Sequence, residues 1–336
     1  AEFHISLGIV VLLIVVALAF DFMNGFHDAA NSIATVVSTR VLKPTHAVLL
    51  AAFFNFVALF IFNLKVATTI GSGIVDQGIV DQYVIFGALV GAITWNIITW
   101  YYGIPSSSSH ALIGGLVGAA VAKAGTWALI PAGILKTVAF ILVSPLLGFL
   151  LGSLLMLLVA WVFVRSTPTK VDRWFRRLQL VSASMYSLGH GGNDAQKVMG
   201  IIGAALITSG AIQDFSQLPN WVPVACYLSI GLGTMSGGWK IIKTMGTKIT
   251  KVTPLEGVSA ETAGAITLFM TEQMGIPVST THTITGSIIG VGATKRLSAV
   301  RWGVTRSLLI AWIITIPVSA LVAGLSYLIL SAMGIA

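Results

Sequence analysis

Long apolar stretches dominate the chain, and short polar stretches separate them. The apolar stretches lie at about residues 5–25, 44–64, 82–103, 133–164, 179–208, 221–236, 258–276 and 303–333. Most of them are long enough for a membrane helix, which needs about 20 apolar residues to cross a bilayer. They should be helices, because an open strand cannot satisfy its backbone groups in lipid and the alternation typical of a membrane barrel is missing. The pattern therefore predicts an all-α polytopic membrane protein.

The composition excludes a water-soluble globule. Of the 336 residues, 56% are hydrophobic and only 9% are charged, whereas soluble domains carry about 25% charged residues. At about 20 apolar residues per crossing, the length allows about ten to twelve membrane helices. The two longest stretches, at 133–164 and 303–333, contain Pro145 and Pro317 in their interiors. Each of these stretches either continues with a kink or divides at its proline.

The basic residues predict how the chain lies in the cell membrane. The net charge is +8, but 15 of the 19 lysines and arginines form short clusters between apolar stretches, at about residues 40–43, 165–177, 240–251 and 295–306. Such clusters are typical of cytoplasmic loops, and they argue against a nucleic-acid partner. The acidic connections around Asp76 and Asp214 then lie outside. No basic segment precedes the apolar stretch at 5–25, so we expect no cleavable signal peptide.

Two motifs recur in the same order in the two halves of the chain. The sequences GIPSSSSHALIGGLVGAAVAK at 103–123 and GIPVSTTHTITGSIIGVGATK at 275–295 share eight of 21 positions at an offset of 172. A shorter acidic motif at 25–29 recurs at 191–195, at an offset of 166. We predict two transmembrane repeats, at 1–164 and 179–336, with a basic cytoplasmic linker at 165–178. The repeats should be inverted, because the acidic motifs then approach the membrane centre from opposite sides.

The acidic motifs place Asp28 and Asp194 in apolar surroundings. An ionised carboxylate at the bilayer centre costs at least about 2.5 kcal/mol, so a bound cation is its simplest partner. Carboxylate and amide oxygens suit a hard cation such as sodium. The predicted sodium ligands are Asp28, Asn31, Asn193 and Asp194. Gly25 and Gly191 should break the helices beside them and free backbone carbonyls, although each aspartate could instead cap a helix at the membrane interface.

The serine-rich motifs predict helices that begin inside the membrane. Each proline ends the preceding helix, and the following Ser and Thr are favoured N-caps. Each repeat should therefore contain a discontinuous or re-entrant helix hairpin, whose N-terminus is an anion site. The residues predicted to bind the anion are Ser107, Ser108, Ser109, Gln196, Ser279, Thr280 and Thr281. The alternative is that these hydroxyls only pack helices together.

Other polar residues within the apolar stretches have less specific roles. His110 and His282 close the serine motifs, and we interpret both as orienting groups, although either could be an ordinary packed histidine. Glu261 lacks an acidic counterpart in the first half, as does Glu272, so either could carry a coupling ion or a proton. Lys197 could add positive charge beside an anion, or it could simply pair with the neighbouring aspartate.

The four motifs together resemble the inorganic phosphate transporter family, often called PiT. The matching segments are GFHDAANS at 25–32, GGNDAQKV at 191–198, IPSSSSH at 104–110 and IPVSTTH at 276–282. The resemblance implies an inverted-repeat fold with two membrane hairpins, phosphate as the substrate, and symport with sodium or protons. It implies that Asp28 and Asp194 are essential and that Glu261 is the family's glutamate. His27 replaces the usual asparagine and is a further candidate for coupling or orientation, and Asn55 stands where some members have a glutamate.

The leading prediction is a sodium-coupled phosphate symporter that works by alternating access in the lipid bilayer. It would need no cofactor besides the co-transported sodium ions, and it would not be an enzyme. Proton coupling is the first alternative, and a passive anion channel is another. An intramembrane serine hydrolase is less favoured, because the Gly-x-Ser-x-Gly pattern of a nucleophile elbow is missing. Whether the chain acts alone or as a homodimer stays open.

Overall fold

Residues 7–336 are described by a computed structural model, and they form helices and connecting loops. The start of the first apolar stretch, at residue 5, lies outside this range. The helices are α1 (Leu7–His27), α2 (Ala29–Ser38), α3 (Pro44–Val57), α4 (Lys65–Ser72), α5 (Gln82–Tyr102), α6 (Ser108–Ala124), α7 (Pro131–Val162), α8 (Pro168–Thr208), α9 (Trp221–Ser236), α10 (Trp239–Lys243), α11 (Pro254–Gln273), α12 (Thr280–Lys295) and α13 (Trp302–Ala332). In this range the β structure amounts to one isolated bridge, between Val75 and Leu129. The all-α prediction is confirmed.

Fewer helices are long and apolar enough to cross a membrane than the sequence predicts. Between residues 7 and 336, four segments are long and apolar enough to cross: the α1–α2 pair, α5, α7 and α13. A fifth is possible if α3 and α4, which meet at 85°, count as one span. The predicted ten to twelve membrane helices are therefore not confirmed. Of the remaining helices, α9 is apolar but has only 16 residues, and α12 is buried from Thr280 to Gly292.

Two helix hairpins, α5–α6 and α11–α12, dominate the interior, as the serine motifs predict. Gly103 and Gly275 begin the two connections, each with a φ of 67°, a left-handed conformation that glycine adopts without steric cost. Each hairpin is closed at its base by an ion pair: Lys123 Nζ lies 2.7 Å from Asp81, and Lys295 Nζ lies 2.6 Å from Glu256. Each hairpin also packs into its own cluster of buried apolar side chains.

The segment after α10 touches opposite ends of the two hairpins. Thr244 begins a π-helical turn and donates a hydrogen bond to the carbonyl of Gly103, at the tip of α5–α6, at 2.8 Å. Just beyond this turn, the carbonyl of Ile249 accepts a bond from the Arg301 amide, beside the base of α11–α12, at 2.9 Å. The tip of the first hairpin thus points toward the end of the molecule at which the base of the second hairpin lies.

The α4 segment makes the equivalent pair of contacts at the other end. Thr69 donates to the carbonyl of Gly275, at the tip of α11–α12, at 2.7 Å. Just after α4, the carbonyl of Ile74 accepts a bond from the Ile130 amide, beside the base of α5–α6, at 3.0 Å. The hairpins therefore run in opposite directions, as the predicted inversion of the repeats requires.

The glycines of the acidic motifs do not break their helices. α1 continues through Gly25 and gives way to α2 only at Asp28, whose φ and ψ are −97° and 7°. α8 continues through Gly191 without a break. The prediction of a helix break at Gly191 is therefore wrong, and in the first repeat the break lies at Asp28, three residues after Gly25. A Cβ at Gly25 would lie 2.4 Å from the Ile230 carbonyl oxygen, and one at Gly191 would lie 2.6 Å from that of Asn55. These glycines are sites of close helix approach rather than of unwinding.

Two long helices are continuous where the sequence left the choice open, and a third extends into the segment predicted as a linker. α7 runs through Pro145 and α13 runs through Pro317, so neither stretch divides at its proline. α8 spans 41 residues from Pro168, and the Thr167 side chain caps its N-terminus. Most of the segment predicted as a linker, at 165–178, is thus helical, while the division of the chain into two repeats at that segment stays a prediction.

Candidate functional site

The tips of the two hairpins meet in the interior, where α6 and α12 begin. Ser107 accepts a hydrogen bond from the His110 amide at 3.0 Å, and Ser279 accepts one from the His282 amide at 3.1 Å. Both serines are therefore N-caps. The two histidine rings lie edge to face, with centroids 4.8 Å apart. The free N–H groups and partial positive charges of two helix N-termini thus converge, an arrangement that favours an anion.

The acidic motifs lie against these helix starts. Asn31 donates from Nδ2 to the hydroxyls of Thr280 and Thr281, both at 3.0 Å. Thr280 in turn donates to Asp194 Oδ2 at 3.1 Å. The structure therefore brings residues predicted to bind a cation into direct contact with residues predicted to bind the anion.

Asp28 is paired with its neighbour in the chain. His27 Nδ1 lies 2.7 Å from Asp28 Oδ1, and His27 Nε2 lies 2.8 Å from Thr99 Oγ1. The Thr99 hydroxyl has a backbone acceptor of its own, the Trp95 carbonyl at 2.9 Å. A hydroxyl has one hydrogen to give, so Thr99 is left to accept from the ring. His27 thus lies between a carboxylate and a hydroxyl, and its ring joins the two.

Asp194 has a histidine partner that sequence reasoning missed. His190 Nε2 lies 3.1 Å from Asp194 Oδ2, and His190 Nδ1 lies 3.1 Å from Asn55 Oδ1. A ring nitrogen of His190 and carboxylate oxygens of Asp28 and Asp194 all lie within 4.8 Å of one another. The spacing in the chain was the available signal, because residues four apart share a helix face.

Glu261 lies in a separate pocket of hydroxyl and amide donors. It accepts bonds from Thr35 and Ser182, both at 2.5 Å, and from Gln179 at 3.0 Å. The three donors come from α2 and α8, so Glu261 joins the second hairpin to helices of both acidic motifs. A carboxylate with this many donors is well accommodated in a buried site.

Two other predicted residues have different surroundings. Gln196 Oε1 accepts from the amides of Val66 and Ala67, at 3.1 and 3.2 Å, and so caps α4. Its Nε2 donates to Glu272 at 2.5 Å, which leaves Gln196 engaged away from the serine caps. Asn193, predicted to bind sodium, has no protein partner for either side-chain polar atom.

The whole candidate site is sealed. None of its predicted residues is more than 4% exposed. Several polar atoms in or beside it have no protein partner, among them Asn31 Oδ1, Ser106 Oγ and Asn193 Oδ1. A buried polar atom without a partner costs free energy unless a ligand or water satisfies it. The site can therefore accept an anion at the helix starts and a cation or proton at the carboxylates.

Comparison with known proteins points to one family. A model of the phosphate transporter family matches residues 24–170 and 164–323. A probable low-affinity inorganic phosphate transporter of Rhizobium meliloti (strain 1021) is 60% identical over 96% of this chain and 97% of its own length. A protein of the same description from Bacillus subtilis (strain 168) is 50% identical over 97% and 98%. A solved structure titled "The sodium-dependent phosphate transporter" shares the fold, with a TM-score of 0.88, 24% identity and coverage of 97% of this chain and 100% of that one.

Proposed function

The chain belongs to the phosphate transporter family, and from this premise we propose that it is a symporter that carries inorganic phosphate across the cell membrane by alternating access. One observation carries the proposal: two capped helix N-termini face each other in a sealed interior, in contact with the acidic motifs. The relatives are transporters by name, so the intramembrane hydrolase loses its support.

Phosphate suits the convergent helix starts. Backbone N–H groups and hydroxyls donate hydrogen bonds to oxyanions, and the helix dipoles favour negative charge. Asp28 and Asp194 would repel phosphate if they stayed uncompensated at this distance from the caps. A cation that enters with phosphate would reduce that repulsion, which supports co-transport.

Sodium is the coupling ion that we propose first. The donor set predicted from the sequence is Asp28, Asn31, Asn193 and Asp194, and all four are buried. The side-chain carbonyl oxygens of Asn31 and Asn193 have no protein partner, so both are free to coordinate. Carboxylate and amide oxygens are the ligands that a hard cation prefers.

Protons are the second candidate, and the two His–Asp pairs favour them. His27 lies against Asp28, and His190 lies against Asp194. Histidine is the side chain that most readily gains or loses a proton near neutral pH. A proton held between ring and carboxylate would cancel the same negative charge that a sodium ion would cancel.

Uptake by proteoliposomes distinguishes these cases. With sodium coupling, an inward sodium gradient drives accumulation of labelled phosphate, and replacing sodium with choline abolishes it. Equal uptake in choline that a protonophore abolishes contradicts sodium coupling and supports protons. Phosphate that only equilibrates, without counterflow, contradicts symport and indicates a channel. For a substitution of Asp28 by asparagine, Asp172→Asn is the matched control, because Asp172 is half exposed and pairs with Arg176 away from the site.

A further inference from the structure

Lys197 occupies in the second repeat the position that Asn31 occupies in the first, since the acidic motifs are offset by 166. Each of the two residues donates to the start of the hairpin helix in the other repeat: Asn31 to Thr281, and Lys197 to Ser109. Ser109 and Thr281 are themselves equivalent, at the offset of 172. The two contacts are thus related by the internal symmetry, but one partner is a neutral amide and the other is an ammonium group.

The ammonium group lies where both hairpin tips meet α8. Besides Ser109, Lys197 Nζ donates to the Val278 carbonyl at 2.5 Å and to Asp194 Oδ1 at 3.0 Å. An ammonium has three N–H donors, so these contacts use all of them. One contact reaches the tip of the first hairpin and another reaches the tip of the second.

The charge of Lys197 sets it apart. It is 1% exposed, and within residues 7–336 it is the one lysine or arginine that is buried. A buried ammonium is costly unless it is paired, and Asp194 is its one carboxylate partner. The other carboxylate oxygen of Asp194, Oδ2, accepts a hydrogen bond from Thr280 and faces His190. The contacts of Lys197 with Ser109 and Val278 involve neutral groups, which an anion's oxygens can replace at a gain in electrostatic energy.

We propose that Lys197 is the fixed cation of the phosphate site, and this inference rests on the proposed function. When phosphate enters between the helix starts, the ammonium exchanges Ser109 and Val278 for phosphate oxygens and keeps Asp194. The second repeat thereby carries its own positive charge, whereas the neutral Asn31 leaves the first repeat dependent on an ion that enters with the substrate. If each acidic motif needed its own cation, two would enter with phosphate. Because Lys197 supplies one of these charges, the site should need one co-transported cation fewer.

The first test measures binding of labelled inorganic phosphate to the purified full chain in nanodiscs. Charge-assisted hydrogen bonds are strong, so Lys197→Met should weaken phosphate binding by about tenfold to a hundredfold, and Lys197→Arg should weaken it less. Lys123→Met is the matched control, because it also removes a lysine paired with a carboxylate, Asp81, but at a hairpin base. We expect the control to bind phosphate normally. Equal binding by Lys197→Met and the unmodified chain overturns the proposal.

A second test compares two adducts of one folded protein, so that a folding defect cannot imitate the result. The single native cysteine, Cys226, is buried and is replaced by serine. Lys197→Cys is then treated with an aminoethyl or a methyl methanethiosulfonate in the presence of phosphate and coupling ion, because position 197 is only 1% exposed in the sealed site. Intact mass verifies that each adduct has formed. The aminoethyl adduct restores a positive charge and should recover phosphate binding, while the methyl adduct should not. Equal binding by the two adducts overturns the inference. If the unmodified chain fails to carry phosphate at all, the proposed function fails instead.

Discussion

His27 determines the surroundings of the first acidic motif. Its ring lies between Asp28 and Thr99, two groups that can both accept its protons. The ring therefore links the carboxylate on α1–α2 to a hydroxyl on the first hairpin. A residue in this place affects which ion compensates Asp28, because the ring is in direct contact with the carboxylate.

Replacing His27 tests which ion is used. His27→Asn removes the ring and leaves Asp28 without its charge partner. If protons drive transport, phosphate uptake by proteoliposomes should lose its sensitivity to a protonophore. If sodium drives it, uptake should keep its sodium dependence. His46→Asn is the control, since His46 lies exposed on α3. Identical protonophore sensitivity in His27→Asn and the unmodified chain contradicts a role for this ring in proton coupling.

Gly25 controls the distance between α1 and α9. A methyl group there would lie 2.4 Å from the Ile230 carbonyl oxygen, so the helices would have to move apart. Gly25→Ala should therefore destabilise the protein by about 1–3 kcal/mol, the usual cost of overpacking a core. A lower midpoint of thermal unfolding in detergent is the expected result. Gly8→Ala, on the same helix with nothing within 4 Å, should leave the midpoint unchanged, and equal midpoints for both variants would contradict the packing role.

At the scale of elements, the N-cap residue of α12 has two roles: Ser279 stabilises the helix, and it is proposed to bind phosphate. Ser279 caps this helix through the His282 amide, and its loss should cost about 1 kcal/mol of helix stability. Ser279→Ala should raise the concentration of phosphate needed for half-maximal uptake and leave the response to the coupling ion nearly unchanged. Phosphate and ion titrations measure the two effects. Asp28→Asn should show the opposite pattern, and indistinguishable defects in the two variants would argue against separate anion and cation positions.

The tip of the second hairpin is tethered by α4. Thr69 donates to the Gly275 carbonyl, whereas its neighbour Thr68 bonds only within its own helix. Loss of one such bond costs about 0.5–1.5 kcal/mol, so Thr69→Val should increase amide hydrogen exchange in residues 274–280. Thr68→Val should not. Unchanged exchange in Thr69→Val would show that this bond does not hold the tip.

The hairpins could be predicted because their signals are local. Proline ends a helix and serine caps the next one wherever they occur, so the breaks at 103–107 and 275–279 follow from the residues themselves. A glycine does not by itself predict a helix break, because Gly191 allows close packing within a continuous helix. The contacts of His190 with Asn55 and of Lys197 with Ser109 depend on which helices meet, and neither repeat determines that alone.

At the scale of the whole molecule, the two hairpins run in opposite directions and share one sealed site. Each tip is held by a short segment from the other half, through Thr244 at one end and Thr69 at the other. Opening either end would expose the helix starts to one side of the membrane while the opposite contact stays closed. The inverted arrangement therefore supports the alternating access that we propose, in which the two ends would open in turn around one central site.

The location of bound phosphate tests the central claim most directly. An experimental structure of the full chain in nanodiscs, determined with saturating phosphate, would show it. The account predicts tetrahedral density between Ser107–Ser109 and Ser279–Thr281, within hydrogen-bond distance of Lys197 Nζ. Phosphate density elsewhere in the protein, with Thr281 still donating its hydrogen bond to the Ser106 carbonyl, would contradict the account.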